Sequence, residues 1–369
     1  MIEGFFYSRW DPPRPGGTSI GPEVKHEHRS MNIIDILKLV SPEAVTSLNR
    51  RYSILRAVDH LAPVGRRVLA DNLHVGERTI RTELDELKQL DLVETGSAGV
   101  SLTPRGQGAL AAMTPYIVEL LGLPHLEQQV SEHLGIPRVT LVPGNSSADP
   151  LVKNELGRAA ARVLAHEIRD GDIIAITGGT TMSALADSIR THRQRVTVVP
   201  GRGALGERVE IQANTIAAKL AQALGGKYRL LHAPDNLSRQ ALDEMLRDPG
   251  IADVLALIRR STLLVHGIGD ALEMAARRQM PPEEIAALHG LNATAEALGY
   301  YFNLQGKIVW QANSIGLGID DLENIKTVIV VAGGADKAPA IRAVAAHHKW
   351  DVLVTDQSAA EAILHLPAV

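Results

Sequence analysis

The sequence predicts an α/β protein in two parts: an N-terminal winged helix-turn-helix unit, then a Rossmann-like α/β domain on a mainly parallel sheet. Three observations point there. Beyond Pro137, short valine- and isoleucine-rich runs alternate with amphipathic helical stretches. Several of those runs end in glycine-bearing loops that open helices, as in a parallel sheet covered on both faces. Ahead of them, two short helical patterns lead into a hairpin.

Bulk properties agree with this division. The chain has 369 residues, which at about 150 per domain implies two domains. Its 45% hydrophobic and 22% charged residues supply a large core and an ordinary polar surface. The absence of cysteine excludes disulfides, thiolate catalysis and cysteine-ligated metal centres. No apolar run approaches the roughly 18 residues that span a bilayer, and the first residues lack a secretory pattern. The expectation is a cytoplasmic protein without membrane contact. A net charge of −4 leaves room only for local basic patches, and 3% aromatics argue against stacking platforms for single strands.

In chain order, residues 1–30 carry Asp11-Pro-Pro-Arg-Pro-Gly-Gly and no apolar period, which reads as a disordered extension or as an upstream one with Met31 as an alternative start, a short structured arm being the blander reading. Residues 31–108 are the DNA-binding unit, 109–135 a helical linker broken at Gly122 and Pro124, and 136–369 the α/β domain. Its strands are expected at Val139–Val142, Ile173–Thr177, Val196–Val199, Arg229–His232, Leu263–His266, Val328–Val331 and Val352–Thr355.

In the N-terminal unit, Pro63–Leu73 reads as a first helix with Val68, Leu69 and Leu73 inward, and Leu73–Gly76 as the turn. A second helix over about Glu77–Leu90 buries Ile80, Leu84 and Leu87 at i, i+4, i+7. Arg78, Arg81, Thr82 and Asp85 then share the opposite face, where a recognition helix meets base edges. Leu92–Thr103 forms two strands around a glycine-bearing turn, a wing. Seven arginines between Arg50 and Arg81 (Arg50, Arg51, Arg56, Arg66, Arg67, Arg78 and Arg81) face three acids, a charge balance suited to duplex phosphates. Arg66, Arg67, Arg78, Thr79, Arg81 and Thr82 are the candidate DNA contacts. Glu83 and Glu86 should turn away from DNA. A plain helical interaction domain with a solvated basic face is the blander reading.

The α/β domain carries Asp172-Ile-Ile-Ala-Ile-Thr-Gly-Gly-Thr-Thr: a buried strand, two glycines, then two threonines opening a helix. Glycines let backbone approach an anion, and the helix N-terminus offers free N–H groups. Neither the Walker nor the dinucleotide pattern is present. Gly178, Gly179, Thr180 and Thr181 thus form a candidate phosphate cradle. Arg202 in Pro200-Gly-Arg-Gly, Arg277 after Val265-His-Gly-Ile-Gly-Asp, and Lys337 after Val331-Ala-Gly-Gly follow other strands. Loops at the carboxyl ends of such strands converge on one ligand, here an anion with two phosphates. Asp172, at the far edge, reads as structural. Gln212 and Asn214 serve equally as caps or ligand contacts, and Glu296 as acceptor for sugar hydroxyls or an exposed turn residue. His266 reads as a packed histidine, and His347 and His348 lack a partner at metal spacing.

These stretches together resemble the SorC family of sugar-responsive bacterial regulators, over nearly everything after Met31. The resemblance rests on Arg51-Tyr-Ser-Ile-Leu, Pro63-Val-Gly-Arg-Arg, Gly76-Glu-Arg, Leu102-Thr-Pro-Arg-Gly, Lys153-Asn-Glu-Leu-Gly-Arg-Ala-Ala, Thr177-Gly-Gly-Thr-Thr, Gln212-Ala-Asn-Thr, Val265-His-Gly-Ile-Gly, Glu296-Ala-Leu-Gly-Tyr-Tyr-Phe-Asn and Ala332-Gly-Gly. It implies an effector domain with the fold of sugar-phosphate isomerases and deaminases, and a homo-oligomeric repressor, dimer or tetramer, on double-stranded operator DNA of a glycolytic operon. Fructose 1,6-bisphosphate is the implied effector, with no cofactor and no metal. The implied contacts are the Gly178–Thr181 loop, Arg202, Gln212, Arg277, Glu296 and Lys337. The chain departs from the familiar pattern at Ala335-Asp336, where small hydroxyl residues are usual. A regulator answering to another phosphorylated sugar, and a sugar-phosphate isomerase or deaminase, are the alternatives. The second departs from the Asp-Gly-His that the resemblance implies for the related deaminases, because Gly267-Ile-Gly-Asp is followed here by Ala271 and Leu272, and the other loops offer no acid–base pair.

Overall fold

The structure is a computed structural model that describes residues 33–192, 195–205, 208–235, 237–348 and 350–369. The expected extension, residues 1–30, lies outside the described residues. The chain divides into two compact units between Val45 and Thr46. In the first, α1 (Ile33–Val40) is apolar yet leaves Ile33, Leu39 and Val40 exposed. A second helix, α2 (Pro42–Leu61), crosses the division.

Helix α2 packs over α3 (Arg66–Leu73), α4 (Glu77–Gln89) and the antiparallel hairpin β1 (Val93–Gly96) and β2 (Gly99–Leu102). Their core joins Ile54, Leu55 and Val58 of α2 to Leu69, Ile80, Leu84 and Leu87, closed by Val93 and Val100 of the wing. The helix-turn-helix and wing stand as expected, with one correction. Pro63–Gly65 is not helical: Val64 bridges Val100, with N–H to carbonyl distances of 3.0 and 2.9 Å. The helix therefore starts at Arg66. Its phase turns Leu69 and Ala70 inward and leaves Val68 48% exposed, against the inward placement read from sequence. Left-handed His74 closes α3, its N–H reaching the Asp71 carbonyl.

Residues 109–135 fall in α5 (Pro104–Leu120) and α6 (Leu123–Leu134), separated at left-handed Gly122 and bent by 56°. Thr103 caps α5 by accepting from the Gly106 N–H at 3.0 Å. Leu123, Val130 and Leu134 of α6 enter the core of the α/β domain. Among the described residues no single helix is long and apolar enough to cross a membrane. The bent α5–α6 pair passes that test only when taken together.

The main sheet has seven strands, all parallel: β3 (Arg138–Val142), β4 (Ile173–Ile176), β5 (Thr197–Pro200), β6 (Lys227–Tyr228), β7 (Leu263–Gly267), β12 (Thr327–Val331) and β13 (Val352–Asp356). Their spatial order is β3-β13-β12-β7-β4-β5-β6. Alternate side chains serve opposite faces, as the two-residue strand period requires. Ile174 and Ile176 meet α7 (Pro150–Glu167), α8 (Thr180–Ser188) and α9 (Ala213–Leu224) on one side. Ala175 and Val199 face α6, α11 (Pro249–Arg259), α14 (Ala338–Ala345) and α15 (Gln357–Leu364) on the other. Between α9 and α11, α10 (Arg239–Met245) buries nothing fully.

The strand expected at Arg229–His232 is corrected to Lys227–Tyr228. Pairing ends with the Arg229 N–H on the Val198 carbonyl, and the Asn214 side chain then takes both the N–H and the carbonyl of Leu231, at 3.0 and 2.9 Å. A side-chain amide thus replaces the ladder, and Asn214 is structural.

A second sheet, unforeseen in the sequence, runs antiparallel in the order β11-β10-β9-β8. Its strands are β8 (Gly269–Asp270), β9 (Ala293–Ala297), β10 (Tyr300–Asn303) and β11 (Ile308–Gln311), flanked by α12 (Ala271–Arg277) and α13 (Pro282–Gly290). Leu298 and Gly299, both at positive φ, make the tight β9–β10 turn.

Candidate functional site

A cavity of about 370 Å³ opens at the carboxyl edge of the parallel sheet. The topology dictates the place, since the loops after successive strands meet there. All nine predicted effector residues line it: Gly178, Gly179, Thr180, Thr181, Arg202, Gln212, Arg277, Glu296 and Lys337.

The cradle follows β4 directly. Gly179 adopts φ 120°, a conformation that favours glycine, and its N–H reaches the Ile211 carbonyl at 2.8 Å. Helix α8 then begins at Thr180 with no side-chain cap, and Thr180, Thr181 and Met182 of its first turn line the cavity. Gln212 sits at the N-cap position of α9 without a capping side-chain bond.

Four of the residues lining the cavity form a buried charge quartet. Arg202 donates to Asp235 at 2.7 Å, Glu296 at 3.0 Å and Ser314 at 3.2 Å. Arg278 donates to Asp235 at 3.1 Å, to the same Glu296 oxygen at 2.9 Å and to the Tyr301 hydroxyl at 3.0 Å. Two cations and two carboxylates cancel. Burial pushes the Asp235 carboxyl up, but Arg202 and Arg278 outweigh it and hold its pKa below 3.8. Burial likewise opposes the Arg278 charge, and Glu296 and Asp235 reverse that and raise its pKa. Glu296 is therefore a buried residue at the end of a strand, not an exposed turn residue. The Gly299 N–H also donates to it, at 2.6 Å.

A third group joins the loops after β3 and β12. Asp356, fully buried, accepts from the Ser146 and Gly334 N–H groups at 2.8 and 2.7 Å and caps α15 through the Ala359 N–H. The Ser147 hydroxyl donates to Asp336, the residue that departs from the family pattern. Lys153 of α7 lines the same cavity. Sequence reasoning gave no role to Lys153, Ser147 or Asp235. Lys153 stands within a matched stretch, but the others carried no local signal.

His266 is fully buried, its pKa pushed down to about 4 by burial, and its Nδ1 lies 3.1 Å from the Gly267 carbonyl. It is a packed histidine. Asp172, at the opposite edge, accepts from the Arg169 N–H and the Thr262 hydroxyl at 2.6 and 2.8 Å. No group of three or more His, Asp or Glu residues that could hold a metal ion occurs among the described residues.

At the amino end, Arg66, Arg67, Arg78, Arg81 and Thr82 are exposed and Thr79 is half-buried. Glu83 is buried against Arg50 and Arg51 at 3.2 and 3.1 Å, and Glu86 pairs with Arg51. Glu83 turns toward the protein, while Glu86 stays exposed and is tied to Arg51. The basic patch is narrower than the sequence implied, because Arg50 and Arg51 are neutralised here and Arg56 is buried against Asp149 at 3.2 Å.

Residues 47–117 match the family described as "CggR N-terminal DNA binding domain", and residues 118–365 that described as "Putative sugar-binding domain". The central glycolytic genes regulator of Priestia megaterium is 39% identical over 90% of this chain and 98% of its own length. Its namesake from Bacillus subtilis is 38% identical over the same shares. The chain belongs to the central glycolytic genes regulators of the SorC family. A SorC-family regulator structure from Enterococcus faecalis superposes with a TM-score of 0.61 at 39% identity, over 65% of this chain and 99% of that one. The full-length sorbitol operon regulator SorC of Klebsiella pneumoniae shares the fold over 86% of this chain and 99% of its own, with a TM-score of 0.60 at 16% identity. As a member of that family, the chain is a DNA-binding transcription regulator with a sugar-binding domain, not an enzyme.

Proposed function

We propose that the chain represses a glycolytic operon as a homo-oligomer on double-stranded operator DNA, and that fructose 1,6-bisphosphate in the carboxyl-edge cavity modulates or releases it. Arg78, Arg81, Thr79 and Thr82 of α4 read the major groove, while Arg66 and Arg67 contact phosphates. The observation that carries the effector reading is the pairing of an uncapped helix N-terminus with a charge-balanced quartet in one cavity. The α8 amides, Thr180 and Thr181 suit a phosphate. Arg277, Lys337 and Lys153 supply further cationic charge around the same space. The quartet offers polar contacts with no net charge, which suits a hydroxylated sugar body better than a second anion. The ligand acts by binding the DNA-competent and DNA-released states with different affinity.

Thermal unfolding of the full chain against a panel of sugar phosphates tests this reading. At about 100 times its dissociation constant, a true effector stabilises the native state by about 2.7 kcal/mol. A selective shift with fructose 1,6-bisphosphate supports the glycolytic effector, and a shift with none removes the cavity as an effector site. Asp336 favours a second reading, in which another phosphorylated sugar is the effector. Its carboxylate stands beside Lys337 and holds Ser147, which disfavours a second dianion in that corner.

A further inference from the structure

One helix touches both the cavity and the DNA-binding core. Along α7, Lys153 and Leu156 line the cavity. On a different stripe of the same helix, Leu151 is buried in the core of the winged unit together with Ile54, Leu55 and Val58. The stripe continues at i+4 and i+7 with Glu155 and Arg158, residues that share one helix face. The His60 ring lies 2.6 Å from Glu155, Arg158 donates to Asp59 at 3.0 Å, and Asp149, the N-cap of α7, accepts from Arg56 at 3.2 Å. Arg56, Asp59 and His60 all belong to α2. One helical stretch earlier, Arg50 and Arg51 of α2 hold Glu83 of the recognition helix.

Helix α7 is also fixed to the cradle. Gly157 packs so closely on α8 that a Cβ there would stand 2.5 Å from the Ala184 side chain. A movement of α8 or Lys153 on ligand binding is therefore passed to α7 as a body, because packed helices shift between discrete arrangements rather than deform.

We propose that α7 and α2 form the strut through which the cavity controls the DNA reader, with His60–Glu155, Asp59–Arg158 and Arg56–Asp149 as its joints. The inference rests on the effector reading above. Glu155 and His60 are positioning residues: they touch neither DNA nor ligand and set the angle at which α2 presents α4.

The test uses the full chain, fructose 1,6-bisphosphate and a duplex selected from random sequence by the wild-type protein. Three quantities are measured for wild type, E155Q, H60Q, the E155Q/H60Q double variant and D59N: sugar-phosphate affinity, duplex affinity, and the factor by which sugar phosphate weakens duplex binding. In the wild type that factor is expected at about 30-fold. In each single variant it falls to about 3-fold or less, while sugar-phosphate affinity stays within about 3-fold of wild type. The double variant loses no more than either single one, because the pair acts as a unit. D59N breaks a more exposed joint, so it gives the answer even if the His60–Glu155 variants fold poorly. Single variants that keep the full factor, or losses that add, overturn the strut. A wild-type chain that binds no sugar phosphate overturns the effector reading, and the strut with it.

Discussion

Arg202 and Arg278 donate to the same oxygen of Glu296, at 3.0 and 2.9 Å, from two different loops of the cavity. That carboxylate is one of the two that balance the buried guanidinium pair, so its loss leaves one positive charge without compensation. Breaking a buried ionic group costs about 3–5 kcal/mol. Glu296→Gln is expected to lower the unfolding free energy by about that range and to abolish sugar-phosphate binding. Calorimetry checks the first outcome and titration the second. A variant as stable as wild type would show that the quartet carries no structural weight.

Thr181 gives a cleaner test of the cradle, because its side chain lies outside the quartet. Thr181→Val keeps the shape and removes one hydroxyl. Sugar-phosphate affinity is expected to drop by about 1 kcal/mol, or roughly fivefold. Duplex affinity in the absence of ligand stays at the wild-type value, measured by fluorescence anisotropy.

On the proposed reading helix, Arg78 and Arg81 are exposed on the first turns of α4. Replacing either with alanine is expected to weaken binding to a selected duplex by about 1–3 kcal/mol and to relax preference at one base position. Arg66→Ala instead weakens all duplexes alike and lowers the salt slope by about one. Unchanged binding in both α4 variants would remove that helix as the reader.

Acid sensitivity follows from buried groups. Burial holds His266 down to about 4 and His348 down to about 3, where nearby His266 and His347 add to the effect. An unfolded histidine protonates near 6.5. As pH falls below 6.5 the unfolded state takes up protons that the folded state refuses, so stability declines down to the folded values. Burial also opposes ionisation of Glu155, but the His60 hydrogen bond and charge, with Arg158 and Arg56, hold its pKa below 4.5. Its contribution is present above 4.5 and is lost as pH falls through the depressed folded value. Urea unfolding between pH 7 and pH 4 is expected to show a falling free energy, with a shallower fall in His348→Gln.

Much of the fold was legible because parallel strands buried on both faces announce themselves as valine and isoleucine runs. Six of the seven strands lie where those runs predicted. The exception was Arg229–His232, where apolar texture continues past the point at which Asn214 takes over the backbone groups. The antiparallel sheet escaped notice because Ala293–Ala297 is small-residued and its turn is Leu298-Gly299, not a familiar turn pair. In the cavity, single loops were readable, but their partnerships were not. Asp235 lies 33 residues from Arg202 and carries no motif. Val68 failed for a similar reason, since only the pairing of Val64 with Val100 sets the phase of α3.

Glu83 is held from behind by Arg50 and Arg51, so the seat of α4, the proposed recognition helix, is separate from the face it presents. Such a helix works like an interchangeable key blade. On the proposed reading, substitutions on its outer face change the duplex it prefers, while the bow that the rest of the protein turns is untouched.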